Sequence, residues 1–250
     1  MADTPSPRAP LAPPPSLVSQ NSVLLDFDGT LVEIADRPDG VVVDPPLSAL
    51  LRRLVGTFPG RLALVSGRSA AQLDGFLGTV LDGIAIVGSH GAEVYSGSHR
   101  SSPSRPVGLI EAESTIRAAF AHHEGVFVEV KSLGVGVHYR LAPEVEPDAR
   151  ALVERIAADN GLAVQEGKMM LELRTIGHDK GTGIAALMAQ PPFAGTVPVF
   201  VGDDVTDEAG FRAVDTLGGI GVLVGPERPT AAHYRVPDVA AVRAWLEQAA

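Results

Sequence analysis

Two aspartates stand one residue apart directly after an apolar segment near the start of the chain. Asp26 and Asp28 follow Leu24 and Leu25, and a Gly29–Thr30 turn comes next. A buried strand that ends in Asp-x-Asp places both acids at the exit of a parallel sheet, where open α/β folds bind ligands. Two close carboxylates at such an edge need a compensating cation or a reaction that uses both acids.

Further reactive groups follow later apolar segments in the same way. Ser66 ends a second apolar segment, Lys180 stands at the start of a predicted helix, and Asp203 follows a third apolar segment. Two strand ends that carry carboxylates, in a chain without cysteine, fit a hard cation, of which Mg²⁺ is the natural choice. A carboxylate nucleophile, a hydroxyl, a lysine and acidic metal ligands are the parts of a phosphoaspartyl transferase.

Strands and helices alternate in the parts of the chain that carry these groups. Asp44 followed by Pro45 predicts the N-terminus of a helix, because Asp is a frequent N-cap and proline suits the first turn. The alternation predicts a parallel sheet with right-handed crossovers. The predicted strands are Val23–Phe27, Arg61–Val65, Ile84–Val87, Val197–Val201 and Ile220–Val224.

The pattern changes between residues 105 and 174, which are preceded by a polar stretch, Ser96–Ser104, that we interpret as a linker. Alternating apolar and polar residues predict strands that form an antiparallel hairpin, and a helix follows Pro147. A further alternating strand precedes residue 174. We therefore expect a small α+β insert. Its predicted strands are Val126–Lys131, Gly134–Tyr139 and Met169–Leu173.

Composition limits the classes of function. The 250 residues carry a net charge of −10, which argues against nucleic acid because phosphate backbones bind basic surfaces. The absence of cysteine excludes disulfides and a Cys nucleophile. No apolar run approaches the ~20 residues of a membrane span, and the N-terminus lacks a signal-peptide layout. We expect a cytoplasmic monomer, with no membrane partner and with a disordered Pro-rich tail at residues 1–20.

The motifs occur in a known order. Asp26-x-Asp28, Ser66-Gly67-Arg68, Lys180 and Asp203-Asp204 resemble the four successive motifs of the haloacid dehalogenase (HAD) phosphotransferases. Additional segments resemble the trehalose-phosphatase family of that superfamily, over roughly residues 22–225. These segments are 89–93, 128–131, 137–140, 167–174, 179–181 and 202–208.

The resemblance implies an α/β fold with an HAD-like Rossmannoid parallel-sheet core and an inserted α+β C2-type cap. The core would comprise residues 21–104 and 175–250, and the cap residues 105–174. The implied reaction is Mg²⁺-dependent hydrolysis of trehalose 6-phosphate through an aspartyl-phosphate intermediate.

The resemblance also implies roles in catalysis. Asp26 would attack phosphorus, and Asp28 would protonate the departing sugar oxygen and later activate water. Ser66 would hold a phosphoryl oxygen, and Lys180 would neutralise charge in the transition state.

The implied metal ligands are Asp26, the backbone carbonyl of Asp28, and Asp203. Asp204 or Asp207 would bind through water or orient these ligands. For Asp207, a simple helix-capping role is an open alternative.

The implied substrate-binding residues include Asp26 and Asp28 themselves. Arg68 either binds phosphate or ties loops together by ion pairs. On the cap strands, residues two or four apart share one face, and a mixture of donors and acceptors on that face suits sugar hydroxyls. The alternative is a solvated sheet face with cross-strand ion pairs. The cap residues concerned are Glu129, Lys131, Arg140, Lys168 and Glu172.

Three other functions remain open from the sequence. The core motifs also allow a phosphatase of another sugar phosphate, such as a sucrose- or glucosylglycerol-type ester, since only the cap discriminates. A phosphomutase also uses Asp-x-Asp but returns the phosphoryl group. A non-catalytic sensor of sugar phosphates is the third alternative.

Overall fold

The computed structural model describes residues 11–35, 37–167 and 169–250. Within these ranges the chain forms twelve β-strands and seven α-helices. The strands are β1 (Asn21–Leu25), β2 (Leu62–Val65), β3 (Ala85–Gly88), β4 (Glu93–Ser96), β5 (His99–Ser101), β6 (Phe127–Lys131), β7 (Gly134–His138), β8 (Ala163–Gly167), β9 (Met170–Arg174), β10 (Val197–Gly202), β11 (Ile220–Val224) and β12 (Tyr234–Val236). The helices are α1 (Pro45–Thr57), α2 (Ala70–Leu77), α3 (Val107–Ala119), α4 (Glu146–Asn160), α5 (Lys180–Met188), α6 (Glu208–Thr216) and α7 (Val239–Glu247).

Eight strands form the main sheet, in the order β12-β11-β10-β1-β2-β3-β4-β5. The strands from β12 to β3 are parallel, while β4 and β5 run antiparallel at one edge. The chain leaves β1 toward β2 and β3, and later returns to its other side through β10. The strand order therefore reverses at β1, and such a switch point is where open α/β sheets bind ligands. The predicted α/β fold with a parallel sheet is confirmed.

Apolar residues on both faces of the main sheet explain why helices cover both. All five residues of β1 are buried. One face packs against α1, α2 and α7, and the other packs against α5 and α6. Helix α1 begins as predicted, because the Asp44 side chain accepts a hydrogen bond of 2.8 Å from the Leu47 amide. It buries Leu47, Leu50 and Leu54 against the sheet.

Four antiparallel strands form the small sheet, in the order β6-β7-β9-β8. Helices α3 and α4 cover one face, where Val135, Val137 and Leu171 are buried. The other face carries a cross-strand row in which Glu129, Gly136, Glu172 and Gln165 stand opposite one another. The predicted hairpin corresponds to β6 and β7, with ends that differ by one residue.

Two sequence expectations are corrected. Part of Ser96–Ser104, expected to be a linker, belongs to the short β4–β5 hairpin, whose few polar edge residues give too little alternation to recognise. Residues 11–20 were expected to be part of a disordered tail, but hydrogen bonds from other parts of the chain hold them. Proline lacks an amide donor but keeps its carbonyl acceptor, so a proline-rich segment can still accept such bonds. The Trp245 indole donates to the Pro15 carbonyl at 3.0 Å, and the Arg235 amide donates to the Ala12 carbonyl at 3.0 Å. The remaining tail residues lie outside the described ranges.

Among the residues that the structure describes, no helix has both the length and the apolar character needed to cross a membrane.

Candidate active site

Asp26 lies at the carboxyl end of β1 and is only 3% exposed. The Lys180 ammonium, at the first turn of α5, donates hydrogen bonds to Asp26 Oδ1 at 2.8 Å and to Asp207 Oδ1 at 2.6 Å. Asp179 caps this helix by accepting from the Thr182 amide at 2.7 Å. The cap fixes the start of α5, and with it the lysine that faces Asp26.

Three carboxylates form the acid cluster, which consists of Asp26, Asp203 and Asp207. Their nearest oxygens all lie within 4.8 Å of one another. Gly29 allows this approach, because a Cβ atom there would lie 2.2 Å from Asp203 Oδ2 and its φ is +80°. The Thr30 hydroxyl lies 3.4 Å from Asp203 Oδ1. The turn after β1 thus brings the acids of two strand ends together.

The acid cluster holds more negative charge than its single lysine neutralises. Burial raises the pKa of Asp26 well above its ordinary value, although Lys180 opposes this. Burial, with the charge of Asp207, raises the pKa of Asp203 to about 6. The charges of Asp207 and Asp26 raise the pKa of Lys180 against the effect of burial, so its ammonium stays charged. Oxygen donors with excess negative charge fit a hard divalent cation.

Two of the predicted metal ligands lie together in this cluster. Asp26 and Asp203 belong to it, and Asp207, whose contribution the sequence left open, joins them. Asp207 also caps the turn before α6, since its Oδ2 accepts from the Asp204 amide at 2.9 Å. The Asp204 carboxylate instead accepts from the Val205 amide at 2.7 Å and lies outside the cluster. The role expected for the Asp28 carbonyl stays a prediction.

Asp28 is bound through both carboxylate oxygens to Arg68. The Arg68 Nε donates to Oδ2 at 2.7 Å and Nη2 donates to Oδ1 at 2.8 Å. Arg68 also donates to the Pro38 carbonyl at 2.9 Å, and its guanidinium stacks 4.7 Å from the Phe76 ring centre. The sequence allowed two roles for Arg68, binding phosphate or connecting loops by ion pairs. The contacts with Asp28 and Pro38 agree with the connection of loops.

Ser66 directly follows β2 and lies beside this ion pair. It is 1% exposed, and its hydroxyl accepts a hydrogen bond of 3.1 Å from the Arg68 amide. Because β1 and β2 are parallel neighbours, Ser66 stands at the same edge of the sheet as Asp26. The main sheet therefore collects all four predicted catalytic residues at one edge.

The expected cap residues form a second charged group, the sugar-side patch, consisting of Glu129, Lys131 and Glu172. Lys131 forms an ion pair with Glu172 across β7. Gly134 on β7 makes room for it, since a Cβ there would lie 2.6 Å from Glu172 Oε1. Glu129 accepts from Gln72 of α2 at 2.7 Å and lies 2.9 Å from His138 Nε2.

The two glutamates of the sugar-side patch are ionised. Burial raises the pKa of Glu172, but the charge of Lys131 and the contact with His90 outweigh it and hold the pKa at about 2. Burial also raises the pKa of Glu129, but the hydrogen bond with His138 and the charge of Lys131 outweigh burial and lower this pKa. The pKa of Lys131 is raised, because the charges of Glu172 and Glu129 outweigh burial. With two ionised glutamates and one charged lysine, this group has a smaller excess of negative charge than three ionised aspartates would have beside Lys180.

The remaining expected residues are placed differently. Arg140 borders the same cavity and donates to the Ala35 carbonyl at 3.5 Å. Lys168 lies outside the described residues. Gln72 was missed from the sequence, although Ser69 and Gln72 form a capping box directly after the Ser66–Arg68 turn. That motif predicts the start of α2, but not that the Gln72 amide also reaches Glu129.

A cavity of about 330 Å³ lies between the acid cluster and the sugar-side patch. This size suits a small organic ligand. A larger groove of about 960 Å³ lies along β4 and β5 on another side of the main sheet and contains no member of the acid cluster. We therefore take the smaller cavity as the candidate site, because reactive and charged side chains border it.

An aspartate paired with a buried lysine at the switch point of a parallel sheet is the arrangement of the HAD phosphotransferases. The sequence matches the family model described as trehalose-phosphatase over residues 24–240, and the chain belongs to this family.

Individual relatives agree with this assignment. The chain is 39% identical over 228 residues to a probable trehalose-phosphate phosphatase of Sinorhizobium fredii, covering 89% of this chain and 84% of the relative. It is 36% identical over 241 residues to the trehalose-6-phosphate phosphatase of Escherichia coli, covering 95% of this chain and 90% of the relative. A crystal structure of a trehalose-6-phosphate phosphatase related protein superposes with a TM-score of 0.77 at 30% identity, covering 90% of this chain and 95% of that one.

Proposed function

We propose that this protein hydrolyses trehalose 6-phosphate to trehalose and phosphate with Mg²⁺ as its cofactor. The observation that carries the proposal is that two charged groups of different kind border one and the same cavity. Asp26, Lys180 and Asp203 border it on the main sheet, and the sugar-side patch borders it on the small sheet. The names of the relatives in S. fredii and E. coli support the same substrate.

In the proposed reaction Asp26 attacks phosphorus, and the bond between phosphorus and the sugar oxygen breaks. Asp28 gives its proton to the departing sugar oxygen. It then takes a proton from the water that attacks the aspartyl phosphate, which releases phosphate and restores Asp26. In the structure Arg68 holds both oxygens of Asp28, at 2.7 and 2.8 Å. One of these two bonds must open, and Asp28 must take up a proton, before it can protonate the sugar oxygen.

Ser66 and Lys180 are proposed to stabilise the phosphoryl group during transfer. We assign Mg²⁺ to Asp26, Asp203 and the carbonyl of Asp28, with Asp207 supporting the site. When bound, Mg²⁺ supplies the positive charge that allows an anionic carboxylate to approach an anionic phosphate. Lys180 is already paired with Asp26 and Asp207, so its charge alone leaves the acid cluster negative.

We propose that residues 105–174 form the cap that recognises the sugar and that residues 21–104 and 175–250 form the catalytic core. Glu129 and Glu172 supply acceptors, and Lys131 supplies donors, for sugar hydroxyls. Arg140 and Lys168 are proposed as further substrate-binding residues. Arg68, which the sequence also offered for this role, is proposed to act through its ion pair with Asp28. Because the charged groups of the patch are paired with one another and with Gln72 and His138, a ligand that binds there has to offer both donors and acceptors in exchange.

The test is phosphate release from trehalose 6-phosphate with Mg²⁺ and with EDTA. We expect release only with Mg²⁺, and a kcat/KM for this ester above those of sucrose 6-phosphate, glucosylglycerol phosphate and glucose 6-phosphate. A better rate on another ester would overturn the proposed substrate. An isomerised sugar phosphate would indicate a mutase, and tight binding without release at saturating Mg²⁺ would indicate a sensor.

A cytoplasmic location and a monomeric state, expected from the sequence, belong to the same proposal. Cell fractionation and light scattering on the purified protein test them. Recovery with membranes, or a mass of about twice the 26.0 kDa of the chain, would contradict them.

A further inference from the structure

The backbone immediately after β3 adopts a conformation that is rare for residues with side chains. Ser89 and His90 have φ values of 48° and 53°, in the left-handed region. Two backbone hydrogen bonds hold this turn against the end of β2: the Ser89 amide donates to the Arg68 carbonyl at 2.8 Å, and the His90 amide donates to the Ser66 carbonyl at 3.1 Å. Strain of this kind persists where the surroundings fix it, and it concentrates at functional sites.

The conformation places the His90 ring on the phosphoryl side of the cavity. The ring lies against Gly67, where a Cβ atom would be only 2.5 Å from His90 Cε1 and Nε2. Any larger residue at position 67 would displace the imidazole. The turn Ser66–Arg68 and the His90 ring therefore pack directly against each other. The motif Ser66-Gly67-Arg68 alone does not predict this contact.

The same ring reaches the sugar-side patch. His90 Nε2 lies 3.8 Å from Glu172 Oε2, and the side chains of His90 and Glu172 are 13% and 4% exposed. Glu172 in turn holds Lys131 in an ion pair. Burial lowers the pKa of His90, although the contact with Glu172 opposes this.

We infer that His90 is a positioning residue that fixes the Glu172–Lys131 pair relative to the phosphoryl-binding turn, so that a sugar held by the patch presents its phosphate to Asp26. The inference rests on the proposed function. It adds a group that contacts neither the phosphoryl acceptor nor the metal ligands and that acts through Glu172. Its effect is therefore specific to substrates that use the sugar-side patch.

The experiment compares trehalose 6-phosphate with p-nitrophenyl phosphate, a small ester without a sugar. His90→Asn keeps a residue that tolerates the left-handed region but is too short to reach Glu172. We expect its kcat/KM for trehalose 6-phosphate to fall about 10-fold or more, chiefly through KM, because the ring that lies 3.8 Å from Glu172 and keeps this carboxylate in place is lost. The kcat/KM for p-nitrophenyl phosphate is expected to stay within about twofold. His90→Gln, which restores a polar side chain of similar reach, is expected to recover part of the loss.

A double-mutant cycle with Glu172→Gln tests whether His90 acts through Glu172. In the Glu172→Gln background, His90→Asn is expected to cost less than about twofold. Equal losses on both esters, or losses that multiply in full, would overturn the inference, since they indicate a role in loop structure alone. If His90→Asn does not fold, the same cycle is measured with His90→Gly, which also tolerates the left-handed region and removes the ring.

His99→Asn makes the same chemical change on the exposed edge strand β5 and is the matched control, expected to be without effect on either ester. Failure of the proposed function is seen separately. It would show as wild-type protein that releases phosphate from p-nitrophenyl phosphate but not from trehalose 6-phosphate. The double-mutant cycle is then measured on the sugar phosphate that the protein prefers. A loss confined to that ester supports the role of His90, and an equal loss on p-nitrophenyl phosphate contradicts it.

Discussion

The acid cluster and the sugar-side patch face one cavity, yet their charges are arranged in opposite ways. In the acid cluster, three carboxylates share the one ammonium of Lys180, and the pKa values of Asp26 and Asp203 are raised. In the sugar-side patch, two carboxylates share Lys131 and neutral donors such as Gln72, and the pKa values of both glutamates are lowered.

The difference indicates what each group lacks. A cluster whose acids resist ionisation gains stability from a further cation, and a divalent ion supplies the largest charge in the smallest volume. A patch whose acids are held ionised by a lysine and by neutral donors gains less from a further cation. It is suited to a neutral ligand that exchanges one set of hydrogen bonds for another. One part of the site is therefore expected to bind metal and the phosphoryl group, and the other to bind the sugar.

The largest expected effect is on the nucleophile. Asp26→Asn removes the carboxylate that attacks phosphorus, and we expect phosphate release to fall by about 10⁴-fold or more. The fold should persist, because Lys180 keeps Asp207 as a partner at 2.6 Å. Release assays and thermal unfolding check both statements, with Asp159→Asn on the exposed side of α4 as control. Activity retained in Asp26→Asn would remove Asp26 from the role of nucleophile.

The second expected effect is the gain in unfolding free energy on binding Mg²⁺, which should depend on the acid cluster and not on the sugar-side patch. With Mg²⁺ at 100 times its Kd, the wild-type protein is expected to gain about 2.7 kcal/mol in unfolding free energy. Asp203→Asn should lose this gain and most activity. Without Mg²⁺ it should be more stable than the wild type, because one repelling charge is gone. Thermal unfolding with Mg²⁺ and with EDTA measures the shift.

Asp204→Asn is the matched control for this experiment. Its carboxylate bonds to the Val205 amide and lies outside the acid cluster, so the Mg²⁺ response should remain. A wild-type protein that shows no Mg²⁺ response would contradict the contrast between the two groups.

The third effect concerns discrimination by the patch. Glu129→Gln replaces an acceptor that is held by Gln72 and His138 with a neutral amide. We expect kcat/KM for trehalose 6-phosphate to fall about 10- to 100-fold, the cost of a hydrogen bond to a charged group. The rate on p-nitrophenyl phosphate should barely change. Glu154→Gln on exposed α4 controls for the change in charge. Equal losses on both esters would mean that the patch is not specific to the sugar.

Much of the acid cluster could be predicted from the sequence, because strand order fixes it. In a parallel sheet, apolar strands that end in polar residues must bring those residues to one edge, so Asp26, Ser66 and Asp203 were predictable together. The Asp28–Arg68 pair was left open, because ion pairs between loops depend on turn geometry. Asp207 was ambiguous for a different reason: it both caps a turn and joins the cluster.

Less of the sugar-side patch was predictable. Alternation predicted one shared face for Glu129 and Lys131 and one for Lys168 and Glu172. Only the register between strands shows that Glu129, Lys131 and Glu172 meet across Gly134 and Gly136. The contribution of Gln72 comes from another part of the chain. Contacts between distant segments leave no periodic pattern, and for the same reason the bonds that hold residues 11–20 were missed.

The smallest expected effect is on stability in acid, and it follows from the lowered pKa of Glu172. A carboxyl with a pKa of about 2 when folded and 4.5 as its ordinary value stabilises the fold above about pH 4.5. This contribution is lost as the pH falls from 4.5 toward 2, because the unfolded chain takes up a proton that the folded one does not. Within that window, wild-type unfolding free energy should fall more steeply than that of Glu172→Gln, by up to about 1.4 kcal/mol per pH unit. Urea unfolding at pH 5 and pH 3 measures the two slopes. Parallel slopes would mean that Lys131 does not hold Glu172 ionised, and the contrast between a charge-satisfied patch and a charge-excess cluster would then fail.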